Sequence, residues 1–469
     1  VSNLPREAVA DAVTYFESWL EFRQRYSRIP GVQAAVWFDD DLLLSRAYGY
    51  ADTEAGISLT PRHLFRIASH SKTFTATAVL QLTEKGVLRL DDTLEQWLPW
   101  LTGQPLSGIT VRELLGHSAG VIRDGHDSDF WQLADEFPDE AALRKIASDR
   151  AEVVPANERF KYSNIGYSLL GLVIAAASGQ DYQAYVREHI IDQLGLPNTG
   201  PEYDPARATE YACGYSALAY ADHRVRIDHV DTAAMAPATG FYSTAEDVVR
   251  YAAAHFHGDV RLLTDASKRL MQRAEWKVEG TDGEYGLGLS RAEIGGRLVF
   301  GHGGGYPGHI TRTFFDPEDR LAVSVLTNAI DGPAEELAVT LLRLVNLAES
   351  GAHDTDAGSD HAGLHRFTGR FANLWRAADV VLLGGQLYLL APTAADPTHA
   401  PAKLSVIDDH TLRMTGGVGY ASYGETLSYE FSGDTVMSIR GATGTSYPIE
   451  RVRGAAATLG HVSPGKPLR

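Results

Sequence analysis

The chain has 469 residues, 44% of them hydrophobic and 22% charged, with a formal net charge of -18. That length supports a large core and about two to four domains, and the acidic balance argues against nucleic acid or an anionic membrane surface as a partner. No run of about 18 apolar residues is present, so the sequence contains no membrane span, and the lone Cys213 excludes an internal disulfide or a thiolate metal cluster and reads as a small core residue.

The first residues, Val1-Ser2-Asn3-Leu4-Pro5, do not form a signal-peptide pattern. This favours a cytoplasmic address, with a secreted one open if a leader was removed. Residues 6–26 predict an amphipathic helix with Val9, Val13, Phe16, Leu20 and Phe22 on its apolar positions. Strands are predicted at 32–38 and 42–48 around Asp39-Asp40-Asp41. A helix follows from Ser69 to Lys85, with Ala78, Val79, Leu80 and Leu82 on its apolar face and Gly86 as its stop. Residues 95–160 read as mixed and mostly helical, and a second apolar helix runs from Asn164 to Ser178 and ends at Gly179. Ser243 and Glu246 have capping-box spacing for a further helix. Strands are predicted at 285–290, 297–301, 309–315 and 321–327, before a helix opened by Pro333 and ending near Ser350. Strands at both ends with helices between them imply an α+β domain, one antiparallel sheet flanked by helices. Residues 351–361 have linker composition. Eight close-spaced β-like runs follow, at 367–375, 379–383, 386–391, 402–407, 411–415, 423–431, 435–440 and 445–452, the pattern of a small antiparallel barrel or sandwich. The expected division is therefore 1–350, a 351–361 linker, and 362–469.

Ser69 and Lys72 stand three apart at the mouth of a helix, so their side chains share a face. A buried amine can accept a hydroxyl proton, and a serine at a helix start lies beside free N–H groups suited to an oxyanion. The spacing alone is weak: Ser463 and Lys466 repeat it around Pro464-Gly465, where no helix can form. The second element is Tyr162-Ser163-Asn164. A phenol near a lysine can lose its proton more easily and act as general base, and an asparagine can donate to a carbonyl or orient the lysine. Alone it is a turn with a helix cap. The third is His302-Gly303-Gly304, followed by Gly305, whose bare N–H can serve an oxyanion hole. Alone it is a turn or a phosphate loop, the latter disfavoured because no helix begins there. A second His-x-Gly, His361 to Gly363, falls in the linker and reads as noise.

In this order, Ser69-x-x-Lys72, Tyr162-x-Asn164 and His302-x-Gly304 resemble the three motifs of the class C β-lactamase and penicillin-binding-protein superfamily of serine hydrolases. The flanks 114–120, 236–243 and 285–289 resemble it too, and the likeness covers about 30 to 345. The resemblance implies a β-lactamase-like sheet and helices with an all-helical region. It implies a nucleophilic Ser69, a proton-shuttling Lys72, a Tyr162 general base and His302 in the catalytic set. Asn164, Gly304 and Gly305 would contact substrate, with Ser69 and Gly305 N–H groups as the oxyanion hole. True β-lactamases of this class have Lys-Thr-Gly where this chain has His302-Gly303-Gly304, and a neutral histidine binds a carboxylate more weakly than a lysine. The resemblance therefore points to D-peptidases, esterases, D-amino-acid amidases and peptide-cyclising thioesterases. The terminal strands resemble the lipocalin-like barrel some of these enzymes carry.

Asp222, His223, Asp228, His229 and Asp231 could ligate a metal, but a solvated loop is the better reading. Asp124, Asp127, Asp129, Asp135 and Glu136 form an acidic stretch that could attract an ammonium group and reads chiefly as solvated surface. The expectation is a serine hydrolase without metal or cofactor, acting through an acyl-enzyme on amides or esters with a D-residue. Alternatives are a carboxylesterase, a cyclising thioesterase, or a penicillin-binding-like sensor or scaffold. The partner is a small peptide, amide or ester, and a homo-oligomer is left open.

Overall fold

A computed structural model describes residues 2–149, 151–354, 361–417 and 423–452. Among them, no helix is long and apolar enough to cross a membrane. The chain forms two compact units, one of Arg28–Ala338 and one of Asn3–Ser27 with Val339 onward.

The first unit is built on a nine-stranded antiparallel sheet. Its strands are β1 (Gly31–Phe38), β2 (Asp41–Asp52), β3 (Ile57–Ser58), β4 (Trp276–Lys277), β5 (Glu284–Tyr285), β6 (Ser290–Ile294), β7 (Arg297–Tyr306), β8 (His309–Asp316) and β9 (Leu321–Thr327). Their order is β3-β2-β1-β9-β8-β7-β6-β5-β4. The first strands of the unit thus pair with its last, Val36 opposite Val323, as the sequence pattern implies. Strand β9 lies mid-sheet, and all seven of its residues are buried, which is why Leu, Ala and Val occupy both of its faces, with Ser324 and Thr327 the polar exceptions.

Three elements depart from expectation. Among the described residues, 95–160 hold short helical pieces, the α-helices Leu94–Trp97, Val111–Leu115 and Glu140–Ser148 and the 3₁₀ turns Pro99–Leu101 and Asp129–Gln132. Glycines with positive φ at 103, 120 and 125 interrupt them. The run expected as a strand at 285–290 is two strands, β5 and β6, separated by a turn in which Gly288 has φ +77. The helix expected from Ser243 is capped instead by Thr244, whose hydroxyl accepts from the Asp247 N–H.

The second unit contains a closed eight-stranded barrel, Gly369–Ala372 pairing both Ala377–Leu383 and Gly444–Pro448. All eight predicted strands are present. Alternate residues Val380, Leu382, Leu387, Leu404, Leu412, Met414, Leu427, Tyr429 and Ile439 form one buried apolar cluster, so side chains occupy the barrel interior. The same unit holds α1 (Arg6–Tyr26), which its position in the chain assigns to the first domain. Asp379 explains this placement. It is 2% exposed and accepts two hydrogen bonds from Arg370 and one from the Tyr15 hydroxyl, all at 2.8–2.9 Å. Trp19 adds a bond from its ring N–H to the Pro392 carbonyl at 3.0 Å. Amphipathicity shows that α1 has a face to bury, and only the partner surface decides where. Residues 351–354, expected in the linker, continue the helix Ala334–Asp354; 355–360, and the chance Ser463–Lys466 pair, lie outside the described residues.

Candidate active site

The turn that carries Ser69 is made by Ala68–His70, a 3₁₀ segment leading into α2 (Ser71–Glu84). Ala68 has φ +47, a left-handed conformation rare for a residue with a Cβ. The Ser71 hydroxyl donates to the Ala68 carbonyl at 2.6 Å and closes the turn. Ser69 is half-buried, whereas Lys72 one turn later is fully buried.

Lys72 Nζ donates to Asn164 Oδ1 at 2.6 Å and the Ala238 carbonyl at 2.8 Å, and lies 3.2 Å from Ser69 Oγ. The Tyr162 hydroxyl is 2.9 Å from the same Oγ. Asn164 opens α3 (Asn164–Ser178), whose cap is Ser163 and not the asparagine, which frees the amide for Lys72. Burial holds the Lys72 amine well below its ordinary pKa; the Asp124 carboxylate opposes this and Arg123 adds to it. Burial pushes the Tyr162 phenol well up. The phenol therefore gives up its proton less easily than a solvated tyrosine, because desolvation outweighs the Ser69 hydrogen bond and the Arg123 cation, which act the other way. Lys72 Nζ thus faces Asn164, Ala238 and Ser69 together, and burial favours the uncharged forms of both the Lys72 amine and the Tyr162 phenol.

His302 lies beside this group but bonds elsewhere. Its Nδ1–H donates to the Gly303 carbonyl at 2.6 Å and its Nε2 accepts from the Tyr285 hydroxyl at 3.0 Å. It is buried, and desolvation with the nearby Lys72 pushes its pKa well down, so it is neutral. The chain thus has no fixed cation at this position.

Strand β7 runs through the glycines to Tyr306, beyond the expected end at Gly301. Strand β6 pairs with it only as far as Gly301. The two-residue Pro307-Gly308 turn pairs Tyr306 with His309, so alternation aims the Gly303 and Gly305 backbone groups away from β8, toward the edge β6 leaves open. Gly304 permits a close approach of backbones. A Cβ there would lie 2.1 Å from the Ile67 carbonyl oxygen, two residues before Ser69. At Gly305 a Cβ would meet only the Ile310 side chain, at 3.6 Å.

Three contributors carry no motif in the sequence. His117, at φ +58, accepts the Ser163 N–H at 3.2 Å and packs tilted against the Tyr162 ring, centroids 4.3 Å apart. Tyr285 holds His302, and the Ala238 carbonyl holds Lys72. All three fall in the flanks that resemble the family, yet no local pattern marks a carbonyl or a packed ring. Asp124, one of the acidic stretch, accepts from Asn164 Nδ2 at 2.6 Å, so it belongs to the site. Asp127, Asp129 and Asp135 do converge, all exposed, and are the one such acidic or histidine group among the described residues. The 222–231 residues form no such group among the described residues, and His229 instead bonds the Ala212 carbonyl.

The family model described as Beta-lactamase matches residues 16–347. The chain belongs to the β-lactamase family of serine hydrolases. Penicillin-binding protein 4* of Bacillus subtilis (strain 168) is 29% identical over 317 residues, 64% of this chain and 68% of that one. Among solved structures, the octameric penicillin-binding protein homologue from Pyrococcus abyssi has a TM-score of 0.66 at 22% identity, over 92% of this chain and 99% of that one. D-amino acid amidase from Ochrobactrum anthropi SV3 has a TM-score of 0.64 at 24% identity, over 72% and 99%. Likeness at these identities is one of fold. It extends the β-lactamase-type architecture over this chain.

Proposed function

We propose that this β-lactamase-family enzyme cleaves amide or ester bonds of small D-residue-containing amides or peptides through an acyl-enzyme on Ser69. The observation that carries the proposal is the approach of Lys72 Nζ and the Tyr162 hydroxyl to one oxygen, Ser69 Oγ, at 3.2 and 2.9 Å. Lys72 accepts the Ser69 proton as Oγ attacks the carbonyl carbon. The Ser69 and Gly305 N–H groups receive the oxyanion. Tyr162 gives its proton to the departing nitrogen or oxygen and regains one from Lys72. Water then attacks the ester carbonyl, and the same groups return Ser69 to its starting state. The open edge of β7 suits an extended acyl group, and Asn164 can meet its amide.

The neutral His302 disfavours donors that require a carboxylate anchor and supports neutral amides. The D-residue preference draws on the D-amino acid amidase among the structural neighbours. Self-association, drawn from the octameric Pyrococcus homologue, is proposed alongside and is measured by sedimentation.

The deciding experiment is turnover of paired D- and L-amino-acid amides, a D-peptide, p-nitrophenyl esters and a peptidyl thioester, with burst kinetics. A burst with D-amides preferred, abolished in Ser69→Ala, is expected. Turnover confined to esters or thioesters would overturn the amidase reading and leave the serine mechanism standing.

A further inference from the structure

Asp124 sits behind the catalytic group. Its side chain is 12% exposed. One carboxylate oxygen accepts from Asn164 Nδ2 at 2.6 Å, and the other accepts from Arg123 Nε at 3.0 Å. The Arg123 side chain is 64% exposed, so that ion pair is screened and weak. The Asn164 contact is buried in its other half, since Asn164 is 3% exposed and its Oδ1 takes a Lys72 N–H at 2.6 Å. The chain Asp124–Asn164–Lys72–Ser69 is thus continuous in hydrogen bonds.

An ionised carboxylate only accepts. With Asp124 in place, the Asn164 amide must turn its NH₂ toward Asp124 and its oxygen toward Lys72. Without it, the amide is free to flip. A flipped amide presents N–H to the Lys72 amine and claims the lone pair that Ser69 needs. We propose that Asp124 is a positioning residue for acylation: it locks the Asn164 amide with its oxygen on Lys72, and it places a negative charge one amide away from the Lys72 amine. This role rests on Lys72 as the base of the proposed mechanism.

The groups facing Lys72 are few. Asp124 and Arg123 come from the segment after His117, Tyr162 from the segment before α3, and Tyr167 from α3 itself, its ring 5.6 Å from Nζ. His117 and His302 complete the surroundings, both held neutral by burial. Asp124 is the one carboxylate among these groups, and it favours the ammonium form against burial and Arg123. Removing its charge therefore lowers the proton affinity of Lys72 and extends the neutral base to lower pH. A charge one amide away, at an effective dielectric of about 20 to 40, corresponds to about one pH unit.

The test is the rate of Ser69 labelling by a neutral fluorophosphonate as a function of pH, on the full chain at constant ionic strength. Asp124→Asn is expected to move the acid limb about one pH unit lower, and to slow labelling on the plateau, because an asparagine can turn a donor toward Asn164. Asp124→Ser gives the same limb shift if Asp124→Asn does not fold. Asp124→Glu keeps the charge and displaces the acceptor, so the limb stays near its original position while the plateau falls. A limb unmoved in both charge-removing variants, with labelling merely slower, would overturn the inference. Lys72→Ala separates the two layers: if it retains the original acid limb, the Lys72 base is wrong. If it abolishes labelling while Asp124→Asn leaves the limb unmoved, only the role of Asp124 fails.

Discussion

Gly304→Ala is the sharpest probe of how the sheet sets the nucleophile. The new Cβ would lie 2.1 Å from the Ile67 carbonyl oxygen and 2.4 Å from Thr311 Oγ1. A hydroxyl can rotate aside, but the Ile67 oxygen is backbone. An ordinary contact begins near 3.4 Å, so the turn must retreat by about 1 Å. That turn carries Ala68 at φ +47 directly into Ser69, leaving little freedom to absorb the movement. Overpacking of this kind costs about 1 to 3 kcal/mol of stability. A displacement of about 1 Å at the nucleophile costs about 10²-fold in rate. Gly305→Ala is the matched control, because its Cβ meets only Ile310 at 3.6 Å. Fluorophosphonate labelling of Ser69 and the urea midpoint of each variant measure both effects. Wild-type labelling and stability in Gly304→Ala, or a larger loss in Gly305→Ala, would refute the reasoning.

Lys72→Ala combined with Tyr162→Phe should be little slower than the worse single variant, because both act on one proton path; additive losses in kcat/KM would separate them. Acid should unfold the first unit early. His70 and His229 are pushed down to about 4 and His255 to about 3 by burial, with His117, His302 and His309 also well below the ordinary value. Below an unfolded value near 6.5 the unfolded chain binds protons the folded one refuses, so stability is full above about pH 6.5 and falls toward pH 4. The limiting slope is about 1.4 kcal/mol per pH unit per histidine; equal urea midpoints at pH 7.5 and 5 would contradict it. In the second unit, Asp379→Ala leaves Arg370 without its buried partner and should cost about 3 to 5 kcal/mol, against about 1 kcal/mol for Tyr15→Phe. Similar thermal shifts in the two variants would show that the ion pair does not anchor α1.

Motif chemistry was legible because it depends on short spacings. The i, i+3 pair Ser69 and Lys72 needs only a helix to meet, and the helix signals around it are strong. Tyr162 and Asn164 were legible as a motif, and the fold brings them from about 90 residues away onto Ser69 and Lys72. His302 was legible as a neutral residue in the place of a lysine. Its hydrogen bond to Tyr285, and hence its turn away from Ser69, was not, because a bend between β5 and β6 decides it.

Local patterns also carried the barrel, since each of its strands announces itself by alternation and turn residues. They did not place α1, whose apolar stripe is satisfied by any matching surface; the buried Asp379 in Ala377–Leu383 selects it. The same division holds at the active site. The sequence alone marked which side chains are candidates for the chemistry, because those types at those spacings suit a serine hydrolase. Only the tertiary structure decided which way their proton affinities shift, because desolvation of Lys72 and Tyr162 comes from elements far apart in the chain closing over them.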